Sequence, residues 1–226
     1  MVETNKENIS LQHPLLEAKG VTHSFDYQLF SNIDLSLEKK ESIAIIGTSG
    51  SGKSTLLNIF SSLLRPNKGE IYYNNQNIFK LSNKQILELR KSDFGIIFQA
   101  HYLFRGFNAM ENLQISELLS GNVIDQELLE KLQIDHILEQ GIGELSGGQQ
   151  QRLSTARVLT KKPKVIFADE PTGNLDKQTA MQLMDILFEY IEQYNAGLII
   201  VTHENEIAHR CDKIYKLINY KLERIK

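Results

Sequence analysis

One glycine-rich segment combines the residue types needed to bind a phosphate group. It consists of Gly47, Thr48, Ser49, Gly50, Ser51, Gly52, Lys53, Ser54 and Thr55, and it matches the pattern G-x-x-x-x-G-K-[ST]. Glycines let the backbone direct N–H groups at phosphate oxygens, and a following helix adds partial positive charge. We therefore expect a nucleotide-binding loop in which Lys53 contacts the β- and γ-phosphates and Ser54 binds Mg²⁺.

Two acidic residues follow an apolar segment later in the chain. Asp169 and Glu170 come directly after Val165–Ala168. The carboxyl ends of parallel strands face the ligand crevice, which places these side chains near the nucleotide. We expect Asp169 to hold Mg²⁺ through water and Glu170 to polarise the attacking water. A solvated strand end is the alternative for such a pair, but the phosphate loop in the same chain favours the metal site.

The elements that must position these residues alternate between short apolar strands and helices. Predicted strands cover residues 15–21, 32–37, 42–47, 70–74, 94–99, 164–168, 198–202 and 213–218. Predicted helices cover 53–64, 82–91, 109–119, 125–132, 146–162 and 177–194. Buried strands alternating with helices predict an α/β fold with a mainly parallel sheet, flanked by helices, around the phosphate loop. The early strands predict an antiparallel β part, and the middle of the chain predicts an inserted helical part.

Composition excludes several other classes of protein. The chain has 226 residues, of which 41% are hydrophobic and 23% charged, and its formal net charge is −3. General electrostatic binding to nucleic acid is therefore not expected. The one cysteine excludes an internal disulfide, and no segment has the 18 or more apolar residues of a membrane helix. We expect residues 1–13 to form a flexible tail and the remainder to be soluble.

A second glycine-containing segment resembles the signature motif of the ABC ATPases. Residues 145–152 read LSGGQQQR and precede the acidic strand, as in that family. The residues that match the core of the motif are Ser146, Gly147, Gly148 and Gln149. The resemblance implies a P-loop NTPase core made of residues 14–99 and 146–226, with a helical subdomain over about 100–145 plus the start of the signature helix. It also implies a head-to-tail homodimer, in which the signature of one subunit acts on the ATP of the other.

Further residues match the family position by position. Gln99 resembles the family's glutamine loop, which contacts Mg²⁺ and the water, and His203 resembles the switch histidine that contacts the γ-phosphate. Leu175 and Asp176 resemble the D-loop at the dimer interface, although Asp176 is also suited to cap the following helix. The resemblance implies an active ATPase that uses Glu170, His203 and Lys53 in catalysis.

Further expectations concern the residue that contacts adenine and two positions that depart from the family pattern. Phe25 resembles the aromatic residue that stacks on adenine, with Tyr27 as its competitor and a core position as the alternative for either. Lys40-Glu41 lacks the glycine usual before the first core strand, which predicts a strained turn. Ile142 stands near the place where many relatives have proline.

The branch of the family is indicated by two short segments. Residues 171–176 read PTGNLD, which is typical of the branch for lipoprotein release, macrolide export and cell division. Residues 99–103 and 107–112 resemble the lipoprotein-releasing (LolD-type) members most. That resemblance implies a peripheral subunit on the cytoplasmic face of the bacterial inner membrane. A separate membrane permease is expected to dock near Tyr102, Leu103, Phe104 and Phe107.

Three alternatives remain open at this stage. A cell-division (FtsE-like) module would signal through a different membrane partner, and a macrolide-export type would drive a different permease. A soluble ABC ATPase that acts on DNA or ribosomes is disfavoured, because those relatives carry coiled-coil insertions or two modules in one chain.

Overall fold

The computed structural model describes residues 13–226, which form two sheets and seven α-helices. Its strands are β1 (Leu16–Ser24), β2 (Gln28–Leu37), β3 (Ser42–Ile46), β4 (Lys68–Tyr73), β5 (Gln76–Asn77), β6 (Phe94–Ile97), β7 (Val165–Asp169), β8 (Gly197–Val201), β9 (Lys213–Ile218) and β10 (Lys221–Arg224). Its helices are α1 (Lys53–Phe60), α2 (Asn83–Ser92), α3 (Ala109–Ser120), α4 (Gln126–Lys131), α5 (Gly147–Thr160), α6 (Lys177–Tyr194) and α7 (Asn205–Arg210). The predicted tail of residues 1–13 lies outside the described residues, apart from His13.

The two sheets have different strand directions. A four-stranded antiparallel sheet has the order β2-β1-β4-β5, and a six-stranded sheet has the order β10-β9-β3-β8-β7-β6. In the larger sheet all neighbours are parallel except the β10–β9 pair at one edge. The predicted α/β fold with an antiparallel β part and an inserted helical part is therefore confirmed.

The larger sheet is buried on both faces because its central strands are apolar throughout. In β3, Ile43 and Ile45 pack toward α1 and the antiparallel sheet, while Ala44 packs toward α5, α6 and α7. A third apolar cluster lies among α3, α4 and α5 and includes Leu113 and Leu153. The strands that end at the candidate site are thus held on both sides by packed helices or by the second sheet.

Several predicted boundaries were wrong. The helix after the phosphate loop ends at Phe60 rather than near residue 64, because Ser62 is left-handed with φ 68° and starts a turn. The first two strands extend to Ser24 and begin at Gln28, so they form a longer hairpin than predicted. The strand at 213–218 is not the last, since β10 follows it as an edge strand.

Candidate active site

The phosphate loop joins β3 to α1 in the form that its sequence predicts. Gly52 occupies the position before the helix with φ 98°, a left-handed conformation that favours glycine. A Cβ atom on Gly47 would lie 2.9 Å from the carbonyl oxygen of Leu217, so the loop backbone passes too close to β9 for a side chain. At Gly47 and Gly52 the backbone therefore follows a path that a side chain would obstruct or strain.

Lys53 holds the loop from inside. Its Nζ donates to the carbonyl oxygens of Gly47 and Thr48, each at 2.9 Å. An ammonium group has three donors, so one remains for a ligand oxygen. The buried hydroxyl of Ser51 has no hydrogen-bond partner among residues 13–226, which marks a second group suited to a ligand.

The acidic pair lies beside this loop. Asp169 ends β7 and accepts a hydrogen bond at 3.0 Å from the hydroxyl of Ser54. Burial raises the pKa of Asp169, and the Ser54 hydrogen bond opposes that shift. The two oxygen atoms form a hard-donor pair of the kind that suits Mg²⁺.

Glu170 is held in a left-handed conformation with φ 47°. Its N–H donates to the carbonyl oxygen of Val201 at 2.9 Å, and its carbonyl oxygen accepts from the N–H of Gly173 at 3.2 Å. Its Oε1 lies 2.9 Å from Nδ1 of His203, and the hydrogen bond to Glu170 raises the pKa of that histidine. Its buried Oε2 has no partner within the described part of the chain. The carboxylate thus keeps one oxygen for an additional group.

One cleft brings most of the predicted residues together. Its volume is about 570 Å³. It is lined by Phe25, Tyr27, Leu29, Gly47, Ser49, Gly50, Gly52, Lys53, Ser54, Thr55, Gln99, Glu170, Val201 and His203. Sequence reasoning missed Leu29 and Val201, which lie in strands β2 and β8 and carry only the apolar pattern of core residues.

Both candidate aromatic residues stand at the mouth of this cleft. Phe25 is 60% exposed and Tyr27 is 65% exposed, so neither occupies a core position. The ring of Phe25 packs edge-on against that of His23 with 4.9 Å between centroids. The cleft therefore offers two aromatic surfaces to a planar ring, and the structure favours neither by exposure.

The signature segment does not line this cleft. Ser146 caps α5 and its hydroxyl accepts from the N–H of Gln149 at 3.2 Å, in a capping box. Gly147 is exposed, and a Cβ atom on Gly148 would lie 3.2 Å from Cδ2 of Leu175. The N-terminus of α5 thus packs beside the predicted D-loop, away from the phosphate loop of its own chain.

Asp176 has the local role that its position predicts. Its carboxylate accepts from the N–H of Thr179 at 3.0 Å and from the Thr179 hydroxyl at 2.6 Å, which caps α6. These hydrogen bonds lower the pKa of Asp176. The turn before α6 is therefore well defined in a single chain.

Exposed aromatic side chains mark the predicted docking segment. Tyr102, Phe104 and Phe107 are exposed, and the rings of Phe104 and Phe107 are 6.0 Å apart. Leu103 instead packs against the apolar cluster among α3, α4 and α5. Asn112 holds this segment in place and was missed by sequence reasoning. Its fully buried amide hydrogen-bonds both the N–H and the carbonyl oxygen of Phe104.

No helix among residues 13–226 has the length and apolar character required to traverse a lipid bilayer.

Comparisons with known proteins place these features in context. The family described as ABC transporter matches residues 30–173. The lipoprotein-releasing system ATP-binding protein LolD of Bdellovibrio bacteriovorus is 37% identical over 198 residues, which is 85% of this chain and 90% of that protein. The uncharacterized ABC transporter ATP-binding protein YbbA of Escherichia coli is 36% identical over 223 residues, which is 96% of this chain and 97% of that protein.

A solved structure shares the fold as well as the sequence pattern. It is an ATP-binding cassette in a dimeric, post-hydrolysis state bound to ADP and Pi. It superposes with a TM-score of 0.85 at 29% identity, over 92% of this chain and 97% of that one.

Proposed function

The chain belongs to the ABC transporter family, and we propose that it is the ATP-binding subunit of a bacterial transporter that releases lipoproteins from the inner membrane. The observation that carries the nucleotide chemistry is the cleft in which Lys53, Glu170 and His203 meet. The lipoprotein assignment is supported by relatives named for that system, of which one is 37% identical.

In the proposed reaction, water attacks the γ-phosphorus of ATP and yields ADP and phosphate. Lys53 and the N–H groups of the loop lower the energy of the transition state, because they neutralise charge that spreads over the γ-phosphoryl oxygens. Glu170 orients and polarises the water through its unpartnered oxygen, while His203 holds the other oxygen. Phe25 or Tyr27 contacts the adenine ring.

The residues present fit a magnesium ion. Asp169 and the Ser54 hydroxyl would hold it, with Gln99 at the same cleft. When bound, Mg²⁺ supplies charge neutralisation at the phosphate oxygens. The hydrogen bond between Ser54 and Asp169 keeps the two ligand oxygens together in the chain itself.

We also propose that each site is completed by a second copy of the chain. The helix N-terminus at Ser146, Gly147 and Gly148 can bind an anion, but it lies outside the cleft of its own subunit. A head-to-tail dimer would place it, with Gln149, on the ATP of the partner, and Leu175 and Asp176 would lie at the interface. The dimeric cassette at 29% identity supports this arrangement.

We also propose that the chain is divided into two lobes. We assign residues 14–99 and 146–226 to the nucleotide-binding lobe, and residues 100–145 plus the start of the signature helix α5 to a helical lobe. The apolar cluster around Leu113 and Leu129 supports this helical unit, and it continues onto α5 through Leu153. In this proposal the helical lobe carries the surface that meets the permease, at the cytoplasmic face of the membrane.

Glu170→Gln tests the catalytic assignment. The amide keeps the size of the side chain but cannot polarise water as a carboxylate does, so turnover should fall at least about a hundredfold. ATP binding should persist, and the ATP-bound protein should accumulate as a dimer in size-exclusion chromatography. Near-normal phosphate release by Glu170→Gln would overturn the role of Glu170.

A further inference from the structure

A buried histidine joins two segments to which the proposed function gives different tasks. His101 lies in the loop of residues 99–107, which leads to the exposed aromatic residues, and it is 8% exposed. Its Nε2 lies 3.4 Å from Nδ2 of Asn174, the residue before Leu175 and Asp176. An amide nitrogen can only donate, so this contact requires an unprotonated Nε2 as acceptor.

The backbone at His101 is fixed on α5, the helix that begins with the signature. His101 and Tyr102 are both left-handed, with φ 60° and 47°. The carbonyl oxygen of His101 accepts from the Ser154 hydroxyl at 3.0 Å and from Nη2 of Arg157 at 3.1 Å. Nη1 of Arg157 donates to the carbonyl oxygen of Tyr102 at 2.8 Å. These hydrogen bonds hold a conformation that non-glycine residues disfavour.

The segment on the other side of the histidine packs against the signature glycines. A Cβ atom on Gly147 would lie 4.0 Å from Cβ of Asn174, and one on Gly148 would lie 3.7 Å from its carbonyl oxygen. His101 therefore lies where the loop of residues 99–107 meets α5, and it contacts Asn174, which in turn packs against the start of α5.

The polar groups at this junction are incompletely paired. Nδ1 of His101 and both amide atoms of the fully buried Gln151 have no hydrogen bond of ordinary length and angle among residues 13–226. The two side chains still interact, because Gln151 opposes the lowering of the His101 pKa that burial causes. Weakly paired buried polar atoms are costly, so an apolar side chain would serve better if the only task were packing. These weakly paired groups give the junction the capacity for a second hydrogen-bonded arrangement.

We propose that His101 is a positioning residue that ties the D-loop segment, residues 174–176, to the loop of residues 99–107. Displacement of that loop by a membrane protein would move Asn174 and, with it, the residues offered to the second subunit. This inference rests on the proposed function, since it assigns the D-loop to the dimer interface.

A double-mutant cycle on the full chain tests the link. His101→Leu and Asn174→Ala each remove one side of the contact, and Tyr190→Phe removes an unrelated buried hydrogen bond to the carbonyl oxygen of Pro163. Each single variant should lower kcat for ATP about fivefold with KM within about twofold, and the double variant should fall no further. His101→Gln, which retains a donor and an acceptor, should restore most of the rate, and Tyr190→Phe should keep it. If the two substitutions lower kcat independently, so that the loss in the double variant is the product of the two single losses, the proposal is overturned.

Hydrogen exchange gives a readout that does not depend on hydrolysis. His101→Leu should speed exchange of the amides at residues 172–176 severalfold, while Tyr190→Phe should not. Asn174 is exposed, so Asn174→Ala should fold even if His101→Leu does not, and it should speed exchange at residues 101–102. Unchanged exchange in Asn174→Ala would contradict the link, whereas absence of ATP hydrolysis by the unmodified chain would contradict the proposed function instead.

Discussion

Backbone strain and an unpaired polar atom, within residues 13–226, coincide at Glu170 as they do at His101. The left-handed φ of 47° at Glu170 is maintained by hydrogen bonds to Val201 and Gly173. Strained conformations of this kind persist where the surrounding structure holds them, and they are concentrated at functional sites. One carboxylate oxygen of Glu170 contacts His203, and the other has no partner among residues 13–226.

The charge state of His203 depends on this carboxylate. The hydrogen bond to Glu170 raises the pKa of His203 above its usual 6.5, so His203 holds its proton more tightly in the folded chain than in the unfolded chain. The pair stabilises the fold fully below pH 6.5, and this stabilisation is lost as the pH rises through the folded pKa. Glu170→Gln should lower the pKa of His203 toward 6.5, which NMR titration of the imidazole can measure. An unchanged pKa would show that another group holds the proton.

At the scale of elements, the turn between β2 and β3 has the strain that its sequence predicts. Lys40 lies in this turn and is left-handed, with φ 63°. Left-handed residues with a side chain cost roughly 1–2 kcal/mol. The core of apolar strands on either side stabilises the fold enough to retain this conformation.

Replacement of this lysine should therefore stabilise the fold. Lys40→Gly should raise the free energy of unfolding by about 0.5–1 kcal/mol, since relief of strain exceeds the added entropy of the unfolded chain. The exposed ion pair with Glu192 contributes little. Lys39→Gly is the matched control and should lower the free energy of unfolding by about 0.5 kcal/mol. Urea denaturation measures the free energy of unfolding of both variants. A lower value for Lys40→Gly than for the unmodified chain would contradict the claim that Lys40 is strained.

Elements with strong local patterns were predictable, and those that depend on pairing were not. Helix α6 has the predicted bounds because Asp176 caps it and its apolar residues recur at helical spacing. Strands β5 and β10 were missed because both are polar and follow tight turns without glycine. Those turns place Asn74 and Asn75, and Asn219 and Tyr220, in left-handed conformations. Strand pairing, rather than local sequence, creates these hairpins.

The residues of the candidate site also differ in how far the sequence predicts them. Motif residues such as Lys53, Glu170 and His203 were predictable because the phosphate loop and strand ends fix where they lie. The choice between Phe25 and Tyr27 was not, since both side chains reach the mouth of the cleft. Asn112 and Arg157 hydrogen-bond the backbone of the loop of residues 99–107. Neither residue belongs to a motif, so only the folded chain shows these hydrogen bonds.

At the scale of the whole molecule, the exposed Tyr102, Phe104 and Phe107 are the residues that we propose to contact a membrane partner. Phe104→Ala combined with Phe107→Ala should remove cosedimentation with inner-membrane vesicles from the bacterium that produces the chain, because the apolar contact is lost. Leu87→Ala, which truncates an exposed apolar residue on α2, is the matched control and should cosediment normally. Retained cosedimentation of the double variant would locate the contact elsewhere.

We propose that a complete ATP site needs two copies of the chain. Lys53→Ala disables the phosphate loop, and Gly147→Asp places a negative charge at an exposed position that has room for a side chain. Each variant alone should be inactive in a head-to-tail dimer. An equal mixture should regain about a quarter of the unmodified ATPase rate, because half of the dimers are mixed and each has one intact site. A mixture as inactive as its components would contradict the shared site.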